Sequence, residues 1–309
     1  MKILITGALG HIGSKLIRAL PKLFNNIEII MMDNLSTQRY CSLFNLPENI
    51  RYKFIEEDIK KIGNWHSMLT NVDVVVHLAA LTDAAGTADK PEAVHQNNFE
   101  STKILADVCL VAGVSLIFPS STSVYGSQSE LVDEDCSDLQ PQSPYAECKI
   151  KEEKYIVDLF KKGLKSIICR FGTIYGVSAG MRFHTAVNKF CWQAIMGQPL
   201  TVWETALNQK RPYLELEDCC NAIAWIIKNQ VYNGEIYNIV SNNLTVQNVI
   251  DEIKKYKQNL NIQSVKHKIM NQLSYEVSSN KFCRTGFSFK GQISAGISET
   301  MHLLMNSNR

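Results

Sequence analysis

A chain of 309 residues, 45% hydrophobic and 20% charged, is long enough to bury a sizeable core as one large domain or two intimate ones. Its 32 basic and 30 acidic side chains leave a formal net charge of +2 without any Lys/Arg cluster, which argues against nucleic acid or an acidic membrane as partner. No apolar run approaches the roughly 20 residues of a membrane span, and an immediate first strand leaves no room for a signal peptide, so a cytoplasmic protein is expected. Nine cysteines without a C-x-x-C pair read as small reduced core residues, and no metal site is expected.

The apolar run Lys2-Ile3-Leu4-Ile5 predicts a first strand, and Gly13–Leu20 has the apolar period of a helix. Between them lies Thr6-Gly7-Ala8-Leu9-Gly10-His11-Ile12-Gly13. A glycine-rich strand-to-helix turn lets the backbone approach a diphosphate, whose charge then meets free N–H groups at the helix N-terminus. Its G-x-x-G-x-x-G spacing differs from the commoner G-x-G-x-x-G. Cofactor contacts are expected from Gly7, Gly10, His11, Ile12 and Gly13, with the His11 imidazole exposed. A second strand, Ile27–Met32, ends in Asp33, 20 residues beyond Gly13. A carboxylate there can hold ribose hydroxyls and would repel a 2′-phosphate, so NAD rather than NADP is expected. Arg39, six residues further on, reads as solvated.

Strands at Tyr52–Ile55, Val72–Leu78, Leu116–Pro119 and Ile167–Phe171 alternate with helices at Phe99–Ala112 and Ser143–Lys162, which predicts an α/β fold with a doubly wound parallel sheet. Ser143 and Pro144 form a readable helix start, and Gly163 follows the last turn. After Phe171 the alternation lapses, through a helix around Thr185–Met196. It returns at Pro212–Leu216, a helix at Asp218–Asn229 and a strand at Glu235–Val240. A Thr245-capped helix and a last helix near Ile293–Met305 complete the chain. The expected organisation is a dinucleotide-binding domain from 1–171 plus about 212–240, and a smaller discontinuous substrate-binding lobe from about 172–211 plus 241–309.

Tyr145-Ala-Glu-Cys-Lys149 places a phenol and an ammonium at i and i+4 on one face of the helix starting at Ser143. Upstream, the strand at Leu116–Pro119 ends in the hydroxyl-rich Ser120-Ser121-Thr122-Ser123-Val124-Tyr125-Gly126, where an open α/β sheet places its ligands. A free phenol near pKa 10 is a poor base at neutral pH. A lysine ammonium and an oxidised nicotinamide both favour its phenolate. Tyrosine, lysine and serine together can therefore remove a proton from a sugar hydroxyl while hydride passes to the nicotinamide.

These features together resemble the extended short-chain dehydrogenase/reductase family of NAD-dependent sugar-nucleotide epimerases and dehydratases, along nearly the whole chain. Thr6–Gly13 matches its T-G-x-x-G-x-x-G, Asp33-Asn34 the turn after its second strand, and Asp58-Ile59 the pair flanking the adenine. His77-Leu78-Ala79-Ala80 is similar to its H-x-A-[AG], and Asn97 falls where an asparagine buttresses the central helix. Arg170–Gly176 resembles R-x-x-N-x-Y-G, and Lys210-Arg211-Pro212-Tyr213 the motif whose arginine meets the substrate diphosphate. The resemblance implies catalysis by Ser121, Tyr145 and Lys149, with Ser123 the nearest competitor for the hydroxyl role. It also implies cofactor contacts from Asn34, Asp58, Ile59, Leu78, Ala79, Ala80 and Asn97. Substrate contacts are expected from Thr82, Ser121, Thr122, Thr173, Arg182, Asn188 and Arg211, with Asp83 as a further candidate.

Two positions depart from the pattern. Thr173 replaces the usual asparagine, and Cys148 replaces the common serine before the lysine, where it reads as packing. Thr122 and Ser123 stand where the 4,6-dehydratases carry an Asp-Glu pair, which disfavours elimination of water. The expected function is NAD-dependent C4 epimerisation of a nucleotide-diphosphate sugar. A net 4-dehydrogenase or 4-ketoreductase would need the same residues, and a non-catalytic dinucleotide sensor would have no need of Tyr145 and Lys149. His184 reads as surface, and Trp192, Trp203 and Trp225 as core. By resemblance, the helices Phe99–Ala112 and Ser143–Lys162 would pair with their copies in a homodimer.

Overall fold

Among the residues described by the computed structural model (1–82, 86, 88–203, 206–265 and 274–308), seven parallel strands form a central sheet. In spatial order they are Ile236–Ile239, Ser166–Phe171, Ser115–Ser121, Val74–His77, Lys2–Thr6, Glu28–Asp33 and Arg51–Glu56. The two-residue period of a strand explains why the inner ones are almost wholly apolar. Ile3 and Ile5 enter one core and Leu4 the other, and Ile117 faces away from Leu116 and Phe118. The helices His11–Leu23 and Leu216–Asn229 cover the first core, and Glu100–Ala112 and Pro144–Phe160 the second.

Strand order reverses between Lys2–Thr6 and Val74–His77, which pair with Thr6 beside His77. A crevice therefore opens at their carboxyl ends, the usual ligand position in such a sheet. The helix expected at Phe99 begins at Glu100 and follows a π-helical turn, His95–Phe99. That wide turn sets Asn98 against the loop that leaves His77.

A smaller lobe packs Tyr175, Val187, Phe190, Val249, Ile250, Ile297 and Met301 into a core of its own. Its three-stranded sheet corrects the expected boundary. Lys210–Glu215 pairs with Thr173–Tyr175 and Asn242–Thr245, so 212–215 leave the large sheet for the small one. Apolar alternation identifies a strand but not its sheet; here the buried, edge-on rings of Tyr175 and Tyr213, 6.4 Å apart, decide. Conversely, Phe282 and Phe287 of the tail pack into the core of the large sheet, Phe282 against Tyr237. Among the described residues, no helix is long and apolar enough to cross a membrane.

Candidate active site

The crevice is floored by the glycine turn. Gly7 has φ +64°, and a Cβ there would lie 2.6 Å from the Ala79 nitrogen. A Cβ on Gly13 would lie 2.5 Å from the Gly7 carbonyl oxygen. Only glycine allows this close approach of strand end, turn and helix start. Asp33 is held by two backbone donors, with Leu35 N at 3.0 Å from Oδ1 and Leu9 N at 3.1 Å from Oδ2. Asp58 caps the short turn Ile59–Lys61 by accepting from Lys60 N at 2.9 Å, and Asn34 accepts from Ser36 N. These residues line one cavity of about 480 Å³ together with Gly7, Gly10, His11, Ile12, Gly13, Leu78, Ala79, Ala80 and Asn97. A tight backbone cradle at a helix N-terminus, with a fixed carboxylate at the end of the neighbouring strand, suits an adenine dinucleotide.

Three details differ from expectation here. The His11 imidazole is buried rather than exposed, with Nδ1 2.8 Å from Ser178 Oγ. The cause is the segment from Ser178 to Gly180, which closes over the turn; Gly180 N donates to Ser14 Oγ at 2.8 Å. Burial, reinforced by Arg39, His184 and Arg182, pushes the His11 pKa down to about 3. Arg39 is half-buried and lines the cavity beside Asp33 instead of standing in solvent. The buttressing amide belongs to Asn98, which accepts from Leu81 N at 2.8 Å and donates to Leu81 O at 3.0 Å. Asn97 faces the cavity and donates to Asn98 Oδ1.

Beyond the turn stands the helix Pro144–Phe160, started by Ser143, whose Oγ accepts from Ala146 N at 3.2 Å. Tyr145 and Lys149 both line the cavity, with Lys149 Nζ 5.8 Å from the Tyr145 ring centroid and 4.4 Å from that of Phe118. Burial raises the Tyr145 pKa by more than Lys149 lowers it, so the phenol is held neutral. Burial lowers that of Lys149, but Glu152, in an ion pair at 3.1 Å, and Tyr145 outweigh it and keep the ammonium charged. Ser121 and Ser123 share a hydrogen bond at 2.8 Å and both line the cavity. Thr122 lines it too, while donating to Phe171 O at 3.2 Å. Ser120 also borders the cavity, but its hydroxyl donates to Glu153, which grips Arg170 through two bonds of 2.9 and 2.7 Å and ties helix to sheet. Cys148 is buried, with its thiol pushed up to about 12 by burial.

Another part of the cavity wall is cationic. Thr82, Thr173, Arg182, Lys189 and Arg211 line it. Arg182 donates to Thr82 Oγ1, and the Arg211 guanidinium lies 5.3 Å from the Trp203 ring centroid. Trp203 packs against the core of the small lobe, as expected, and also lines the cavity. Asn188 does not reach it: fully buried, its amide accepts from Gly176 N at 3.2 Å and donates to Arg182 O at 3.0 Å. It shapes the loop that presents Arg182. Lys189 was not visible as a site residue in the sequence, although its place one turn into the helix Ala186–Ile195, with Arg182 just upstream, is a usable signal. Asp83 lies outside the described residues.

A model of the NAD dependent epimerase/dehydratase family matches residues 3–240. The chain belongs to this family. It is an NAD-dependent enzyme of the extended short-chain dehydrogenase type, built on a Rossmann sheet. Among curated relatives it is 32% identical over 251 residues to an uncharacterized UDP-glucose epimerase, YtcB, of Bacillus subtilis, covering 77% of this chain and 76% of that one. It is 28% identical over 316 residues to a trifunctional UDP-glucose 4,6-dehydratase/UDP-4-keto-6-deoxy-D-glucose 3,5-epimerase/UDP-4-keto-L-rhamnose-reductase of Arabidopsis thaliana. That match takes in 97% of this chain but only 46% of the plant enzyme. Among solved structures, UDP-glucuronic acid 4-epimerase from Bacillus cereus in complex with NAD superposes with a TM-score of 0.86 at 25% identity, covering 99% of each chain.

Proposed function

We propose that this enzyme interconverts C4 epimers of a UDP-sugar. One observation carries the reading: a single cavity is lined by the glycine turn, by Tyr145, Lys149 and Ser121, and by Arg182, Lys189 and Arg211. The Bacillus relatives, one a UDP-glucose epimerase by name and one a UDP-glucuronic acid 4-epimerase, support the substrate class.

Gly7, Gly10 and Gly13 would cradle the cofactor diphosphate, and Asp33 its adenosine ribose. Bound NAD supplies a hydride acceptor and donor, and a positive ring that favours phenolate. Tyr145 takes the proton from the C4 hydroxyl and later returns one to the C4 oxygen, once the 4-keto sugar has turned its other face to the hydride donor. Lys149 keeps a positive charge beside the phenol throughout. Ser121 hydrogen-bonds the C4 oxygen as its charge changes. The arginines and Lys189 hold the substrate diphosphate by charge-assisted hydrogen bonds while the hexose turns. Thr122 and Ser123 offer hydroxyls, not carboxyls, so elimination of water lacks a proton shuttle.

The test is incubation with UDP-glucose, UDP-glucuronic acid and UDP-N-acetylglucosamine plus NAD, followed by NMR. A C4 epimer without net NADH is expected; accumulation of NADH or of a 4-keto sugar would mark a dehydrogenase instead. Tyr145→Phe should lower turnover by at least about a hundredfold while NAD affinity stays nearly intact. Retention of a tenth of wild-type turnover would remove Tyr145 as the base. We also propose a symmetric homodimer, and a reducing, cytoplasmic setting supported by nine free cysteines.

A further inference from the structure

Beneath Lys149 runs a buried polar chain that proton abstraction does not require. Glu152 Oε2 is 3.1 Å from Lys149 Nζ, and its Oε1 accepts from Thr102 Oγ1 at 2.5 Å. Thr102 Oγ1 lies 3.1 Å from His77 Nε2, and His77 Nδ1 lies 2.8 Å from Thr6 Oγ1. Thr6 Oγ1 in turn accepts from Ala79 N at 3.3 Å. Lys149, Glu152, Thr102, His77 and Thr6 are all buried.

Donor accounting gives this chain one direction. An ionised carboxylate only accepts, so the single Thr102 proton points to Glu152. Toward His77, Thr102 can then only accept, which puts the imidazole proton on Nε2. Nδ1 is left as an acceptor, and Thr6 donates to it while receiving the Ala79 N–H. Burial, aided by the charge of Lys149, pushes the His77 pKa down to about 3, so the ring stays neutral and one tautomer satisfies every partner. Ala79 and Lys149 both line the cavity, Ala79 close against Gly7 of the glycine turn.

We propose that Glu152 is a positioning residue: it anchors the Lys149 ammonium and, through Thr102 and His77, ties it to the Thr6–Ala79 cofactor loop. The assignment rests on reading Lys149 as the partner of Tyr145. The groups facing Lys149 are Glu152, Tyr145 and Cys148 on its own helix, His77 from the neighbouring strand, and the Phe118 ring. Among these Glu152 is the principal group sustaining its charge. A buried lysine without that carboxylate gives up its proton more readily.

The experiment is NMR on the full-length protein, with and without NAD, isotope-labelled at histidine ring nitrogens and lysine Cε. The Lys149 signal is assigned by its loss in Lys149→Met. Wild-type His77 should be neutral and protonated on Nε2. In Glu152→Gln the Lys149 titration should move to lower pH by at least about one unit. Thr102→Val, which spares the ion pair, should leave Lys149 near its wild-type midpoint while His77 loses its single tautomer. Protonation of wild-type His77 on Nδ1 overturns the proposal, as does an unmoved Lys149 midpoint in Glu152→Gln. If Glu152→Gln does not fold, the wild-type tautomer and the Thr102→Val spectrum still decide. No sugar substrate enters these measurements, so a failure of the epimerase reading would leave the result intact.

Discussion

Asp33 serves two purposes, fixing the glycine turn through Leu9 N and its own turn through Leu35 N while lining the cavity with Arg39 beside it. Its carboxylate should make NAD bind at least about tenfold tighter than NADP, since a 2′-phosphate would meet a like charge. Asp33→Ala should narrow that gap, because Arg39 then faces the ribose without its counter-charge. Equal affinity of the wild type for both cofactors in titration calorimetry would defeat the assignment. The buried imidazoles of His11 and His77 act on stability instead. Both pKa values fall from 6.5 to about 3, so between these values the unfolded chain binds protons that the folded one refuses. Their contribution is complete above pH 6.5 and erodes as pH falls toward 3, by up to about 1.4 kcal/mol per unit for each histidine. Urea midpoints should therefore fall between about pH 7 and pH 5. A flat profile would mean that the folded protein accommodates the imidazolium. The sequence showed His11 inside the glycine turn but not Ser178 above it, 167 residues away.

At the scale of elements, the six strands read from apolar runs are all present, because a sheet covered on both faces leaves little room for polar residues. The helix Pro144–Phe160 was equally legible: Ser143, Pro144 and Gly163 mark its ends, and the Tyr145/Lys149 spacing places both groups on one face. What escaped depends on pairing and phase. Lys210–Glu215 reads as a strand in either sheet, and only contact with Thr173–Tyr175 assigns it. The π-helical turn at His95–Phe99 adds a residue to one helical turn, so the amide that meets Leu81 is that of Asn98 rather than Asn97. Between elements, the buried Glu153–Arg170 pair joins the helix Pro144–Phe160 to the strand Ser166–Phe171, with Ser120 completing the carboxylate's partners. Glu153→Ala would leave a guanidinium buried without its counter-ion, a loss of about 3–5 kcal/mol. Denaturant unfolding should show it, and a change below about 1 kcal/mol would mean that water or a neighbour replaces the carboxylate.

For the whole molecule, the proposed dimer depends on apolar surface that one chain does not itself cover. Leu105 and Ala146, part of the stripe read from the sequence, are buried within their own subunit, and Phe160 packs over Gly234. Phe99 and Tyr155 meet edge-on at 6.0 Å, and Tyr155 Oη donates to Asp107 at 2.7 Å, so the two helices are already tied within one chain. Ile104, Val108 and Val157 remain half-exposed on the same side, flanked by the largely exposed Val111. A stable isologous interface covers about 800 Å² on each partner, so these residues would form only its centre, with the polar flanks of both helices as its rim. Light scattering at micromolar concentration should report twice the chain mass. Val157→Glu should halve that mass and leave NAD affinity within about threefold, because the side chain is remote from the cavity lining. A wild type that scatters as a monomer would make Val108 and Val157 ordinary half-buried residues of a single subunit.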